Sequence, residues 1–386
     1  MTNKKIFGAM LLTILSVLTS CIREEAPNAE CDIIAVKATW LESNKEILSG
    51  SPIISNNDVM FYVKEETSIE TLKQLEPEFE LTYGALIVKE NRIEENGTRG
   101  IYLYYRTTSE DGAWSKTYRV SFTKQTVIDV NAVFGFENFE LNQPAPKGKY
   151  NVWHEVDANG TRLNWWASGN AGFNFTGKGK TPADFPTSSD SAGFKGCCIK
   201  LTTRDTGSFG KMAGMPIAAG NIFLGEFISA NAMKEPLAAT RFGLAIAPSK
   251  PLTLTGHYRY TPGEIFTDKA KEEVAGRRDT CAIYSVLYEI DPDNIVTLDG
   301  SNVLSSDRIV LVAELKNPGE PDEWTSFEIP YVPANGKVFD WQKLEKGEYA
   351  ITVVASSSKN GAFFEGAVGS TLYVDEITIL WEAEEE

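Results

Sequence analysis

Two kinds of side chain in this sequence could do chemistry: carboxylates set among apolar neighbours, and aromatic rings in a stretch that lacks regular pattern. Glu226 lies in Leu224-Gly225-Glu226-Phe227, and Glu289 closes the alternation Ile283-Ser285-Leu287. Asp205 follows a third strand-like segment. Two carboxyl groups ~5–5.5 Å apart cleave a glycosidic bond with retention, and a pair ~6.5–9.5 Å apart cleaves it with inversion. The acid of such a pair has to be held protonated by an apolar setting. Glu226 and Glu289 are therefore the candidate catalytic residues, although most acidic side chains in so negative a chain are solvated surface.

The candidate ligand-binding rings are Trp153, Trp165, Trp166, Tyr258 and Tyr260. A flat ring can lie on the apolar C–H face of a sugar while neighbouring Asp, Asn, Arg or Gln bonds its hydroxyls. Trp165 and Trp166 point to opposite faces if they lie on a strand, so at most one of them would meet a ligand. Tyr258 and Tyr260 share a face with Leu252 and Leu254, which suits a core as well as a platform.

Other chemistries find little support. The histidines are His154 and His257, and no Gly-x-Ser-x-Gly elbow accompanies them. Phe175-Thr176-Gly177-Lys178-Gly179-Lys180 lacks the strand-to-helix context of a phosphate loop. Cys31, Cys197, Cys198 and Cys281 are too few for a disulfide scaffold, and no Cys-x-x-Cys pair suggests structural zinc. One of Cys197 and Cys198 could pair with Cys281, or all could be buried free thiols.

These residues need strands to position them. Residues 32–124 read as a first domain, with strand alternation at Ile34-Val36-Ala38-Trp40, Val59-Phe61-Val63 and Ile101-Leu103-Tyr105. A hairpin is expected over 109–120, turning at Asp111-Gly112, and segment 67–76 could hold one short helix. Six or seven short strands in this length suggest an immunoglobulin-like sandwich. After a short connection, 134–382 reads as a second all-β domain. Its strands are expected at 252–260, 281–287, 309–315, 349–355 and 372–374, and no long helical segment lies between them. An antiparallel jelly-roll sandwich is the best fit. Residues 141–196, rich in Gly, Asn, Pro and rings, would be a functional surface or a packed cover.

The chain has 386 residues and a formal charge of −16. Such a surface repels phosphate backbones, so no nucleic-acid partner is expected. At the start, Lys4 and Lys5 precede an apolar run from Ile6 to Leu18, and Leu18-Thr19-Ser20-Cys21 resembles the bacterial lipobox. Residues 1–20 then read as a signal peptide, Cys21 as the lipidation site and 21–31 as a lipidated tether. The membrane would be reached through that anchor alone. Glu24-Glu25 near the anchor resembles the surface-export signal of Bacteroidetes lipoproteins, so the expected location is the outer membrane, exposed at the cell surface.

A wider resemblance rests on a set of motifs: Trp165–Phe173, Gly196 with Ile199–Thr203, Ala219–Gly225, Tyr258–Gly263 and Leu372–Ile377. Together they resemble the putative carbohydrate metabolism domain of Bacteroidetes lipoproteins over about 134–382, and the first domain is similar to the immunoglobulin-like module that often precedes it. The resemblance implies a jelly-roll-like fold and glycan handling outside the cell, with a polysaccharide or oligosaccharide as partner, and carries over no catalytic residues. A lipid-anchored glycan-binding protein is the leading reading. A glycoside hydrolase and a structural adhesion or assembly component are the alternatives. No cofactor is expected, but a structural calcium could sit between the first and last strands of the second domain, held by Glu137 and Asp375. It would want 6–8 oxygens.

Overall fold

The computed structural model describes residues 27–383 except 56, 65, 97–99, 125–126, 143–148, 157–159, 161, 230–231, 244 and 293–295. The expected signal peptide and Cys21 lie outside the described residues. Among the described residues, no helix is long and apolar enough to cross a membrane.

The first domain runs β1 (Ile33–Val36), α1 (Ala38–Ser43), β2 (Ile53–Ser55), β3 (Asp58–Tyr62), α2 (Ile69–Lys73), β4 (Phe79–Leu81), β5 (Leu86–Asn96), β6 (Gly100–Thr108) and β7 (Ser115–Thr123). Its main sheet has the order β2-β3-β7-β6-β5, with β3 parallel to β7, while β1 and β4 form a separate antiparallel pair. Alternate residues of β3, β6 and β7 bury Phe61, Leu103, Val120 and Phe122 between these layers. The Phe61 and Phe122 rings stack at 4.7 Å. The β6–β7 hairpin turns at Asp111-Gly112 as expected. Asp111 accepts the Ala113 N–H at 2.9 Å, and Gly112 takes a φ of +69°. The expected helix within 67–76 is α2, capped by Ser68, whose hydroxyl accepts the Thr71 N–H. One expectation fails locally: Ala38 and Trp40 continue no strand but form α1. Ala, Leu and Glu favour a helical turn there, and the turn still delivers Trp40 to the core, edge-on to Phe61 at 5.3 Å.

The second domain is built on β8 (Thr187–Asp190), β9 (Cys198–Thr202), β10 (Asn221–Phe227), β11 (Thr240–Phe242), β12 (Pro251–Thr261), β13 (Ala282–Glu289), β14 (Ile309–Glu314), β15 (Thr325–Pro330), β16 (Tyr349–Ser356) and β17 (Thr371–Trp381). The smaller sheet has the order β8-β9-β17-β12-β15 and the larger one contains β11-β10-β16-β13-β14, both extended by short flanking strands. All these pairings are antiparallel. The all-β sandwich expected from the period of two is what forms. Leu254, Tyr258, Val374 and Ile377 of the smaller sheet close on Ile283, Leu287, Ile351 and Val353 of the larger.

The domains touch along β2 and β10. The Ser49 hydroxyl donates to the Pro292 carbonyl, and Val127 bridges to Ile246. Cys31, Cys197, Cys198 and Cys281 are free thiols.

Candidate functional site

The five rings expected to meet a ligand are all buried. Trp153, Trp165, Trp166, Tyr258 and Tyr260 belong to the core between the two sheets. This corrects the expectation of an open platform. Trp166 pairs beside Leu224 on the edge of β10, where Phe134 meets it edge-on at 5.2 Å and Phe136 packs at 5.1 Å. Its indole N–H donates to Glu155 at 2.7 Å. Tyr258 donates its hydroxyl to the Pro318 carbonyl. Residues 141–196 are therefore largely a cover, and their rings are what the cover is packed with.

The expected carboxylate pair is not assembled either. Glu226 is sealed at the domain junction, where its Oε1 accepts from Arg241 at 2.6 Å and its Oε2 has no partner. Gly225 permits this approach, because a Cβ there would sit 2.0 Å from the Arg241 carbonyl oxygen. Burial pushes the Glu226 carboxyl up to about 7, and Arg241 offsets only part of that. Burial, with Glu226 beside it, also raises the Tyr62 phenol. Glu289 has different partners, Lys337 and Lys343, the latter at 2.6 Å. Burial alone would raise it, but these two cations outweigh burial and hold it below the usual range. An acid kept ionised by two lysines cannot donate the proton that glycoside cleavage needs.

Glu137 and Asp375 each bind the backbone of one loop, residues 195–197. Glu137 accepts the Cys197 N–H at 2.9 Å. Asp375 accepts the N–H groups of Lys195 at 2.9 Å and Glu376 at 2.8 Å. Gly196 turns under them at φ +70°, where a Cβ would meet the Glu137 carboxylate at 2.0 Å. These oxygens are occupied by backbone donors, and among the described residues no group of three or more His, Cys, Asp or Glu could hold a metal ion.

What the structure opens instead is a cleft of about 470 Å³ on the outer face of the larger sheet. Its floor is two rungs set by strand register. Phe223, Val354, Tyr284 and Glu314 lie side by side across β10, β16, β13 and β14, and Asn221, Ser356 and Ala282 form the next rung. Phe227 and Phe242 extend the apolar floor, and Leu237, Phe363 and Phe364 form a wall. The rim is unusually apolar for a surface, with Phe209 47%, Met233 40%, Leu304 47% and Phe363 54% exposed. Glu314 pairs with Lys359 at 2.9 Å at the polar end. A second hollow of about 720 Å³ shares the Phe363–Phe364 wall and adds Glu235, Lys269, Asp299 and Glu365. Phe364 holds a left-handed backbone at φ +62°, a strain of the kind that gathers at ligand clamps.

A buried polar chain anchors the cleft wall from behind. The Gly220 N–H donates to Ser357 Oγ at 3.0 Å, and Thr203 Oγ1 contacts Ser357 at 2.8 Å and Ser358 at 2.6 Å. Ser358 then donates to Asp279 at 2.6 Å, joined there by the Ser370 hydroxyl at 2.7 Å and the Ala367 N–H at 2.8 Å. The cleft residues were missed because they come from four strands and several loops. The available signal was that Phe223, Tyr284 and Val354 make the outer faces of their strands apolar too.

Glu226 gives a pH prediction, shared with Glu155, which burial also pushes up to about 7 against the opposing Trp166 N–H. Below about 4.5 both carboxyls are protonated in folded and unfolded chain alike. Between about 4.5 and 7 the unfolded chain ionises first, so stability is lost as pH rises through that window, by about 3 kcal/mol per group at most. Urea denaturation at pH 5 and 7.5 should show this decline, and Glu226→Gln should remove part of it. An unchanged slope in the variant would contradict the assignment.

The comparisons with known proteins agree with this architecture. The family described as "Putative carbohydrate metabolism domain" matches residues 135–380. A crystal structure described as a putative glycoside hydrolase from Bacteroides thetaiotaomicron is 39% identical. It covers 94% of this chain and 100% of its own, with a TM-score of 0.75. A second, described in the same words and from Bacteroides vulgatus, is also 39% identical. It covers 67% of this chain and 100% of its own, with a TM-score of 0.61. No curated protein matches. This chain belongs to the putative carbohydrate metabolism domain family.

Proposed function

We propose that this protein binds a saccharide without cleaving it, in the cleft on the outer face of the larger sheet. The observation that carries the reading is the composition of that cleft. Phe209, Phe227, Phe363 and Phe364 offer ring surface, while Asn221, Ser356 and Asn360 offer hydrogen bonds at one end. This combination suits sugar C–H faces and hydroxyls. The carboxyls that burial raises, Glu155, Glu226 and Asp375, line neither hollow. Among the described residues, no carboxyl raised by burial thus stands beside the proposed ligand. The lipobox-like start supports a lipid-anchored protein of the outer membrane, exposed at the cell surface, with the first domain as a spacer.

A second reading is hydrolysis, favoured by the description of the two Bacteroides relatives as putative glycoside hydrolases. Glu314 is the carboxylate on the apolar floor and would be its first candidate. The test is to incubate the full chain with polysaccharides selected by a glycan array and to measure both retention and soluble product. Retention without product is expected, and Glu314→Gln should leave the absence of product unchanged. Product release that Glu314→Gln abolishes would overturn the binding reading in favour of hydrolysis.

A further inference from the structure

The outer face of the smaller sheet carries a row of alternating cations and rings that the cleft does not use. Strand register places Lys200 on β9, Tyr373 on β17 and Arg259 on β12 side by side, and Trp324 lies just before β15 at the end of the same row. The Arg259 guanidinium lies 3.9 Å from the Tyr373 ring centroid and 5.3 Å from that of Trp324. Lys200 Nζ is 5.3 Å from Tyr373 on the other side. One step along the strands, Phe194 stacks flat on His257 at 3.6 Å and meets Trp324 at 6.4 Å. Phe194 is 50% exposed, and Lys200, His257, Arg259, Trp324 and Tyr373 are all half-buried.

The charge in this row is out of keeping with the rest of the molecule. The chain carries 53 acidic and 37 basic residues, so a guanidinium should easily find a carboxylate. Among the described residues, none pairs with Arg259, and its Nε is buried without a hydrogen-bond partner, as is Nδ1 of His257. The rings hold the guanidinium by cation–π contact, which orients it without neutralising it. Lys200 has only a loose partner, Asp190 at 3.8 Å. A planar, unneutralised fork between two rings fits an anionic group on a flat ligand, with the charge paired to arginine and the ligand ring against tryptophan or tyrosine.

We propose that this face is a second binding site, distinct from the cleft, for a saccharide bearing an anionic substituent, either a uronic-acid carboxylate or a sulfate ester. Asp190, one rung along from Lys200, and the exposed Asp322 and Glu323 beside Trp324 border the site. They orient a bound saccharide so that its negative group lies over Arg259 and away from these carboxylates.

Titration calorimetry on the full chain tests this with trigalacturonate, its methyl ester and a sulfated galacto-oligosaccharide. The expected result is binding of at least one anionic probe, weakened tenfold or more by Arg259→Gln. If trigalacturonate is the ligand, the methyl ester loses the same factor. If only the sulfated probe binds, the anion is a sulfate ester and the site stands. Phe363→Ala, in the cleft, should leave this binding unchanged, so failure here and failure of the cleft reading are separable. Trp324→Ala provides a second variant should Arg259→Gln unfold, and it too should weaken binding. The proposal is overturned if no anionic probe binds at millimolar concentration, or if these row variants bind as the parent chain does.

Discussion

Phe363→Ala is expected to weaken saccharide binding by the full chain about ten- to a hundredfold while leaving its stability almost unchanged. Phe363 is 54% exposed at the junction of the two hollows, so its ring contributes little to the core. An exposed substitution of this kind moves stability by no more than about 0.5 kcal/mol. A ring at the centre of a binding surface, by contrast, is commonly worth about 2 kcal/mol, and each ~1.4 kcal/mol is a factor of ten in affinity. Calorimetry with the best neutral ligand, beside a thermal melt of the same sample, reads both effects. Unchanged affinity at an unchanged melting temperature would remove the wall from the site.

Asp279→Ala should produce the opposite pattern, a large loss of stability. Asp279 is almost wholly buried and accepts from Ser358, Ser370 and the N–H groups of Ala367 and Thr280. Removing it strands four donors, and since each buried donor left unsatisfied costs about 1–3 kcal/mol, a loss of several kcal/mol is expected. For a chain of this size that lowers the melting temperature by about 10 °C. Because Ser358 lines the cleft, the surviving folded protein should bind saccharide less well too. Ser358→Ala removes one donor and should cost about 1 kcal/mol. A melting temperature for Asp279→Ala within 2–3 °C of the parent's would show that these donors find other partners.

The fold was legible because it is carried by a period-two pattern that needs no long-range information. Leu254, Tyr258 and Tyr260 alternate with Thr255, His257 and Arg259, and the first set is the buried face of β12. The Asp111-Gly112 turn and the helix after Ser68 were readable for the same reason: their chemistry lies within a few residues. Alternation names two faces but does not say what covers each. Tyr258 and Tyr260 could thus be a platform or a core until the opposing sheet was in place. Trp153, Trp165 and Trp166 posed the same choice in a stretch without periodicity.

The cleft was illegible for a different reason. Its floor depends on Phe223, Val354, Tyr284 and Glu314 falling on one rung, and that register joins segments far apart in the chain, Phe223 pairing with Val354. A hint was present, since β10, β13 and β16 are apolar on both faces. In an antiparallel sheet that pattern calls for a second covering layer or a ligand. The Arg259 row was half-visible: the polar face of β12 could be read, but Tyr373 and Trp324 reach it only through pairing.

A crystal structure of the full chain soaked with a neutral oligosaccharide shown to bind in solution tests the central claim most directly. The account predicts a sugar ring lying against Phe363 or Phe227, with hydroxyls bonded to Asn221, Ser356 or Asn360. Ligand density elsewhere on the molecule, with the cleft empty at saturating concentration, would contradict it.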